Sequence, residues 1–235
     1  MILTDATAVL VDGFEIIENI LAPSEVSRLL TALAQHEPSE RGRGGIRNLL
    51  DLVHAVAHLA TSPAIRNLVE PVLGPSARAV RGTLFDKTPG ANWKVPWHQD
   101  LSIAVQEKVP IDGFGPWSVK AGVVHVQPPA TILESMIAVR VHLDDCAEGN
   151  GPVRVVPGSH KHGRLSAEQI RTISSTSPSV SCSVRCGGVL LMRPLLLHAS
   201  SPSQSPQHRR VIHIDFSAGE LPAGLKWFSK AARRE

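Results

Sequence analysis

Residues 134–159 read "ESMIAVRVHLDDCAEGNGPVRVVPGS", two short apolar runs joined by turn-forming residues. The runs are alternating or β-branched, which is typical of short strands. Between them, the segment 147–152 contains Asn-Gly, which supplies the positive φ angles of a tight turn and predicts a hairpin-type connection. Similar runs separated by Gly, Pro, Asn and Ser recur from about residue 77 onward. Their spacing predicts an all-β sandwich or barrel instead of alternating βαβ units.

The first third of the chain has a helical pattern. Apolar residues recur at helical spacing over 22–36 and 48–60, and 62–74 has the pattern of a third short helix. The segment 8–17, which precedes them, predicts a strand and a turn. A stretch over 100–130 is rich in Gly and Pro and only weakly periodic. A loop of that length in a compact domain is often functional, so this stretch predicts a lid or a substrate-binding element.

The composition, 43% hydrophobic and 19% charged, is that of an ordinary globular protein. The formal net charge is only +3 and most basic residues are scattered, which argues against nucleic acid as the main partner. Three cysteines without a CxxC pair argue against a disulfide framework or a structural zinc site. The chain start lacks a signal-peptide pattern, and no apolar run is long enough to cross a bilayer. We therefore expect a cytoplasmic monomer or small homo-oligomer that acts on a small molecule, with neither nucleic acid nor membrane as a partner.

The segment "WHQD" contains a His-x-Asp pair, His98 and Asp100. Residues two apart lie on the same face of an extended strand, so both side chains could reach one ion. The alternative is a strand edge that happens to be polar. A third ligand must come from another strand, and His198, at the end of the apolar run "PLLLH", is the best candidate. Two imidazoles and one carboxylate suit non-haem Fe(II), with open positions for a cosubstrate and O₂.

Two further residues, Ser200 and Arg209, lie downstream of His198 and strengthen this interpretation. Arg209 begins the apparent strand "RRVIHIDF". A guanidinium holds a carboxylate with two parallel hydrogen bonds, so Arg209 would anchor the far end of a 2-oxoacid that chelates the metal. Ser200 could point the same way as His198 along its strand and donate a further hydrogen bond to the cosubstrate.

Three segments occur in order along the chain: "WHQD", "LDDCAEGNGPVRVVPGSHKHGRL" and "HASSPSQSPQHRRVIHIDF". Together they resemble the phytanoyl-CoA dioxygenase-like family of Fe(II)/2-oxoglutarate-dependent oxygenases, over roughly residues 75–220. The resemblance implies a mainly β protein with a double-stranded β-helix (jelly-roll, cupin-like) core and N-terminal helices packed on one sheet. We therefore expect a single domain over 1–235, with helical support at about 20–75 and the jelly-roll core at about 76–220.

The same resemblance implies roles for individual residues. It implies that His98, Asp100 and His198 are the iron ligands. It implies that Arg209 anchors 2-oxoglutarate, by its spacing from His198, with Arg210 as the alternative. The family reaction converts 2-oxoglutarate and O₂ to succinate and CO₂ and usually hydroxylates a substrate C–H bond. Because related halogenases have a small residue in place of the carboxylate ligand, Asp100 favours hydroxylation or another oxidation over halogenation.

Five further residues are candidates for contacts with the cosubstrate or the substrate. Lys87 lies on the strand that leads toward "WHQD", and the family pattern puts Arg140 near the cosubstrate or substrate, unless Arg140 lies on a solvated face. Trp93 and Trp97 either line the pocket beside the iron and exclude water, or only cover the mouth of the barrel. Gln127 could enter the site from the long loop.

Two other functions stay open at this point: a non-catalytic jelly-roll protein that binds a small molecule, and a hydroxylase of proteins or peptides. The pair of histidines in "HAVAH" lacks the Glu that a zinc protease needs beside the first His, so we interpret it as structural. The substrate is not identified. The side chains of Phe114, Trp117, Lys120 and Arg81 indicate a mixed apolar and cationic pocket, which points toward a carboxylate or phosphate group.

Overall fold

The computed structural model describes residues 6–36, 45–204 and 207–229. The helices are α1 Ala6–Val11, α2 Pro23–Leu33, α3 Leu49–Leu52, α4 His54–Thr61, α5 Pro63–Leu73, α6 Ala130–Glu134 and α7 Ala167–Thr176. The strands are β1 Phe14–Ile17, β2 Gly45–Arg47, β3 Arg78–Asp86, β4 Val95–His98, β5 Ile103–Val105, β6 Trp117–Lys120, β7 Val123–Val126, β8 Met136–His142, β9 Val153–Val155, β10 Val180–Cys182, β11 Val189–Met192, β12 His198–Ser200 and β13 Arg210–Ser217. No helix within these described ranges is long and apolar enough to span a bilayer.

The strands form a large and a small antiparallel sheet, with a third sheet beside them. The large sheet has six strands in the order β1-β11-β8-β13-β3-β2, and the small sheet has four in the order β10-β9-β12-β4. The third sheet has the order β5-β7-β6. From β3 onward the chain passes back and forth between the large and small sheets, which is the winding of a double-stranded β-helix. The predicted jelly-roll fold class is therefore confirmed.

The central strand β8 is buried on both faces. Ile137, Val139 and Val141 are fully buried and belong to the core that the large sheet forms with the N-terminal helices. Ala138 belongs to a second core, which lies between the large and small sheets. Since side chains alternate along a strand, Arg140 shares the inner face with Ala138. Arg140 thus points into the barrel, and the solvated position considered for it is wrong.

The predicted hairpin at 147–152 is wrong. This segment leads from β8 in the large sheet to β9 in the small sheet, so it connects strands that are not paired. Residues 148–150 form a short 3-10 turn, and the positive φ angle, 61°, belongs to Gly151 alone. A Cβ on Gly151 would lie 2.3 Å from the carbonyl oxygen of Ser201. Glycine is required there by a close approach of two chain segments rather than by a two-residue hairpin.

The N-terminal segments differ in part from their predictions. The segment 8–17 begins inside helix α1, and only its last four residues form strand β1. The predicted helix over 48–60 is divided into α3 and α4, because Val53 has an extended backbone with φ −120° and ψ 97°. Strands β1 and β2 are the two edge strands of the large sheet. The division into helical support and jelly-roll core stays a prediction, since the N-terminal third also supplies these two strands.

The stretch 100–130 contains regular structure that its sequence did not indicate. It forms the whole three-stranded sheet of β5, β6 and β7. Ile103, Val105 and Val126 of this sheet are buried in a separate apolar cluster, which also includes Trp227. The stretch is thus a small packed layer at one side of the barrel, and its weak periodicity reflects very short strands.

Candidate metal centre

Three side chains of the predicted metal site converge at the end of the small sheet. His98 ends β4 and His198 begins β12, and the two residues are directly paired across these antiparallel strands. Asp100 follows two residues after His98, and its backbone N–H donates to the carbonyl of Pro194. One Asp100 oxygen lies 3.9 Å from Nε2 of His98, and the other lies 3.7 Å from Nε2 of His198. Among the residues that the structure describes, this is the one group of three whose ligand atoms all lie within 4.8 Å of one another.

Both imidazoles are oriented with Nε2 toward the centre of the group. His98 Nδ1 lies 2.9 Å from the carbonyl oxygen of Pro96, and His198 Nδ1 lies 2.8 Å from that of Leu196. A carbonyl only accepts, so each Nδ1 carries the proton and donates it. The lone pair is left on Nε2, as is typical of histidine ligands to metals.

The protonation states also suit a metal. Burial lowers the pKa of His198 to about 4, so this imidazole is neutral at neutral pH. Burial by itself would raise the pKa of Asp100, but the neighbouring histidines and Arg81 outweigh it and hold that pKa below its usual range. The donor set is therefore two imidazoles and one carboxylate. Three protein ligands leave coordination positions open for other molecules, and this set fits ferrous iron.

The Gln99 side chain connects the segments that hold the candidate ligands through hydrogen bonds. No role was assigned to this residue from the sequence. Strand alternation turns its side chain away from His98. Its amide nitrogen donates to the carbonyls of Gly163 and Leu195, and its amide oxygen accepts from the N–H of Leu165. The Gln99 side chain therefore links the segment that carries His98 and Asp100 to residues 163–165 and to Leu195, which lies three residues before β12.

Gln99→Leu is expected to lower the free energy of unfolding by about 3 kcal/mol, because it leaves buried backbone groups without partners. Urea denaturation measures this loss. Gln106→Leu is the matched control, since Gln106 is exposed and its side chain makes one hydrogen bond of 3.2 Å to Trp227. This control should lower the free energy of unfolding by no more than about 0.5 kcal/mol. Equal stability losses in the two variants would show that the Gln99 bonds contribute nothing specific.

A group of buried cations lies next to the candidate ligands. Lys87 is fully buried, and its Nζ lies 3.2 Å from Oγ of Ser200 and 2.5 Å from the carbonyl oxygen of Ser201. Arg209 donates from Nη1 to the carbonyl of Gly151 at 2.5 Å. Nη1 of Arg140 lies 2.9 Å from Nδ1 of His213. Lys87, Arg140 and Arg209 are here called the inner cations.

The inner cations have no carboxylate partner among the described residues. The Nε atoms of Arg140 and Arg209 are buried and make no hydrogen bond there. Burial, followed by the charge of Arg209, lowers the pKa of Lys87 to about 8 and that of Arg140 to about 10. Burial of three positive charges without an acid raises the free energy of the folded protein. This group therefore fits an anionic ligand such as a dicarboxylate, which would offset that energy.

The two adjacent arginines point in opposite directions. Arg209 is 3% exposed and lies in the wall of the cavity beside the candidate ligands. Arg210 instead forms a salt bridge to Asp144, with Nη2 2.6 Å from one carboxylate oxygen. The hydrogen bond to Asp144 raises the pKa of Arg210. The alternative anchor considered from the sequence is therefore engaged with an acid elsewhere.

A cavity of about 270 Å³ joins the candidate ligands to Arg140 and Arg209, and Lys87 contacts its wall through Ser200. Its wall includes Phe85 and Trp93, and the Trp93 ring centroid lies 5.8 Å from Nζ of Lys87. Trp97 does not line this cavity. It neighbours His98 in sequence and so faces the other side of β4, where it packs against Val156, Leu165 and Leu197, with Arg154 near its ring.

Gln127 also lies outside the cavity wall. Its side-chain oxygen accepts a hydrogen bond from the Arg164 guanidinium. Ser200 does line the cavity and is buried. The structure thus brings Ser200, Trp93 and two of the inner cations, Arg140 and Arg209, to one cavity with the candidate ligands, but not Trp97 or Gln127.

The sequence matches the family described as Phytanoyl-CoA dioxygenase (PhyH) over residues 10–211. The chain belongs to the phytanoyl-CoA dioxygenase family. It is 26% identical over 166 residues to an ectoine dioxygenase of Bordetella parapertussis, a match that covers 64% of this chain and 46% of the relative. It is 24% identical over 224 residues to the peroxisomal phytanoyl-CoA dioxygenase of Mus musculus, covering 86% and 58%. The chain thus spans about half the length of these curated relatives.

The fold of this phytanoyl-CoA dioxygenase family member is similar to solved structures. The epimerase SnoN, solved in complex with Fe3+, alpha ketoglutarate and nogalamycin RO, superposes with a TM-score of 0.70. The two chains are 19% identical, and the match covers 98% of this chain and 92% of SnoN. At this identity the likeness supports the jelly-roll fold, while the roles of individual residues depend on the geometry described above.

A network of charged side chains, which the sequence analysis did not predict, lies at the cavity wall. Arg81 Nε lies 2.5 Å from one oxygen of Asp215, and the other Asp215 oxygen lies 2.9 Å from Nε2 of His213. His213 in turn contacts Arg140. The sequence contained a pattern that could have predicted this network, because alternation along "RRVIHIDF" places Arg209, His213 and Asp215 on one face.

Proposed function

We propose that this chain is an Fe(II)- and 2-oxoglutarate-dependent dioxygenase that hydroxylates a small molecule. One observation carries the proposal: a group of two histidines and one aspartate opens into the same cavity as buried cations that have no carboxylate partner among the described residues. The first group fits ferrous iron, and the second fits the dicarboxylate 2-oxoglutarate. The name of the ectoine dioxygenase relative supports a small molecule as the substrate.

His98, Asp100 and His198 would hold the iron, and Arg209 would bind the far carboxylate of 2-oxoglutarate. When bound, iron together with 2-oxoglutarate and O₂ supplies the oxidant for a substrate C–H bond, with succinate and CO₂ as products. The chain provides positioned ligands, a cationic site for the cosubstrate and a cavity that both of them line. Asp100 supplies a third protein ligand, which supports hydroxylation or another oxidation over halogenation.

Lys87, Arg140 and Ser200 would assist Arg209. The Nζ of Lys87 contacts Oγ of Ser200, which lines the cavity, so a carboxylate bound by Ser200 would lie next to this ammonium. Trp93 would form part of the wall on the substrate side. The small net charge and its scattered distribution support a partner other than nucleic acid. We further propose a cytoplasmic monomer or small homo-oligomer that does not act at a membrane.

An anaerobic titration tests the proposal. Fe(II) and 2-oxoglutarate added together should produce a weak visible metal-to-ligand absorption band, and neither alone should produce it. After admission of O₂, the protein should form succinate in a reaction that requires Fe(II). A jelly-roll protein that only binds a small molecule would show neither the band nor succinate. Turnover only with a protein or peptide added would instead favour the alternative class of hydroxylase.

The affinity for 2-oxoglutarate is expected to fall as the pH rises through 8. The free protein has a Lys87 pKa of about 8, lowered by burial and then by Arg209. A bound carboxylate raises that pKa. The Lys87 ammonium therefore contributes fully to binding below pH 8. Above pH 8 the ammonium loses its proton, and the Kd rises by up to about ten-fold per pH unit. Calorimetric titrations with anaerobic Fe(II) between pH 7 and 9 measure this trend. Lys87→Met should bind more weakly but without this dependence, and an equally steep dependence in the variant would exclude Lys87 as its source.

A further inference from the structure

Three neighbouring strands of the large sheet carry a row of hydrogen-bonded side chains. Arg140 of β8 is paired in register with His213 of β13, and Asp215 of β13 is paired with Arg81 of β3. Directly opposed residues of antiparallel strands place their side chains on the same face, so these four side chains follow one another across the inner face of the sheet. The row ends at the carbonyl of Ser102, which accepts from Nη1 of Arg81 at 3.0 Å. Arg140, His213 and Arg81 line the cavity, and Asp215 is buried at their side.

The hydrogen bonds of this row determine where the His213 ring carries its proton. A guanidinium only donates, so Nδ1 of His213, 2.9 Å from Nη1 of Arg140, accepts with its lone pair. The ring proton therefore lies on Nε2, which donates it to Asp215 across 2.9 Å. Burial by itself would raise the pKa of Asp215, but Arg81 and His213 outweigh it and hold that pKa below its usual value, so Asp215 is an anionic acceptor. Asp215 thus selects the tautomer of His213 that presents a lone pair to Arg140.

His213 holds the Arg140 guanidinium without cancelling its charge. Asp215, the anionic member of the row, is in direct contact with Arg81, whose Nε lies 2.5 Å from one carboxylate oxygen. The link from Asp215 to Arg140 passes instead through a neutral imidazole. Phe85 contacts both groups, with its ring centroid 5.6 Å from the guanidinium carbon of Arg140 and 5.8 Å from the centroid of the His213 ring. Arg140 is therefore oriented by two neighbours while its positive charge stays available to an anion in the cavity.

We propose that Asp215 is a positioning residue for the cosubstrate: by setting the tautomer of His213, it orients the guanidinium of Arg140 toward bound 2-oxoglutarate. The inference rests on the proposed function, which gives Arg140 a place beside Arg209 in the cosubstrate site. Asp215 acts through the imidazole, since its own carboxylate is occupied by Arg81 and His213. A side chain that orients a binding group in this way lowers the cost of ordering that group when the ligand arrives.

Asp215→Asn is expected to raise the Kd for 2-oxoglutarate about ten-fold, because it removes a hydrogen bond that orients a charged group. The asparagine amide has one acceptor oxygen, which pairs with Arg81 because a guanidinium always donates. Its NH₂ group then donates to Nε2 of His213, the ring proton moves to Nδ1, and an N–H of the imidazole faces an N–H of Arg140. Loss of the Asp215 charge alone has the opposite sign, since a more positive cavity binds a dianion more tightly.

Two measurements on the full chain test this inference. A titration of 2-oxoglutarate into the anaerobic Fe(II) protein, followed by the visible absorption band, gives the Kd. The nitrogen NMR spectrum of the imidazole rings, recorded with diamagnetic Zn(II) in place of Fe(II), gives the tautomer of His213, whose signals are identified by their absence in His213→Asn. Asp144→Asn is the matched control, since it removes an acid from Arg210, which points away from the cavity. This control should change neither the Kd nor the His213 tautomer.

Variants of His213 separate positioning from a purely structural role. His213→Asn keeps an acceptor oxygen near the place of Nδ1, so its Kd should stay within about three-fold of the unaltered protein, whereas His213→Leu should raise the Kd about ten-fold. In the His213→Asn background, Asp215→Asn should raise the Kd no further, because no tautomer remains to be set.

Three results would overturn the inference: Asp215→Asn binds 2-oxoglutarate as tightly as the unaltered protein or more tightly, its His213 tautomer is unchanged, or it weakens binding equally in the His213→Asn background. If Asp215→Asn does not fold, the His213 variants decide, and equal Kd values for His213→Asn and His213→Leu would exclude the acceptor role. If the unaltered protein does not bind 2-oxoglutarate, the proposed function fails, and the tautomer in Asp215→Asn still decides whether Asp215 sets the imidazole.

Discussion

His98→Ala is expected to abolish turnover and to weaken Fe(II) binding by about 100-fold or more. The substitution leaves one imidazole and one carboxylate, and two ligands hold a labile ferrous ion poorly. The loss of a supporting hydrogen bond to a ligand already costs 10- to 100-fold in affinity, so the loss of a ligand should cost at least as much. Equilibrium dialysis with anaerobic Fe(II), followed by metal analysis, measures the change. Asp100→Ala should behave in the same way.

His58→Ala provides the control for this experiment. His58 is exposed on helix α4, away from the candidate ligands, in the "HAVAH" segment that we interpret as structural. This variant should bind iron with unchanged affinity and stoichiometry. Tight iron binding by His98→Ala would mean that the metal site lies elsewhere. A lower metal content in His58→Ala would instead point to the helical histidines.

Arg209→Gln is expected to raise the Kd for 2-oxoglutarate about 100-fold while iron binding is retained. Arg209 is 3% exposed and donates from Nη1 to Gly151, while its Nε makes no hydrogen bond within the described structure and remains available to a carboxylate. Removal of a charged partner from a buried carboxylate costs about 3 kcal/mol, which corresponds to about 100-fold. The intensity of the visible absorption band during a 2-oxoglutarate titration reports the affinity.

Arg210→Gln is the matched control, because it removes the neighbouring arginine from the same strand. Arg210 is bound to Asp144, so its loss should affect stability and leave the Kd for 2-oxoglutarate nearly unchanged. Arg209→Lys should bind with intermediate affinity, since an ammonium cannot make the planar bidentate contact. If Arg210→Gln weakened binding more than Arg209→Gln, the cosubstrate anchor would be assigned to the wrong arginine.

Much of the candidate site follows from local geometry that the sequence contains. The spacing of His98 and Asp100 places them on one face, and alternation sends Arg209 and Arg210 to opposite faces whatever the rest of the chain does. The same rule turns Trp97 away from the side that His98 occupies. Alternation cannot separate the two tryptophans, because Trp93 and Trp97 are four positions apart and Trp93 precedes the strand Val95–His98.

Other features depend on contacts between residues that are far apart in the chain. The turn at 147–152 has the composition of a hairpin, yet the chain crosses there between two sheets because burial of β8 on both faces outweighs the local turn preference. Gln99 bonds to backbone groups more than sixty residues away, and no local pattern predicts such partners.

The sequence by itself determined the strand-rich class of the fold, the His-x-Asp pair and the face on which each neighbouring side chain lies, because these depend on the two-residue period of an extended backbone. Only the tertiary structure decided that His198 lies opposite His98 and that the inner cations lack an acid among the described residues. Those features arise from strand pairings between residues about 100 to 140 positions apart, and such pairings are selected by burial and sheet closure rather than by local sequence.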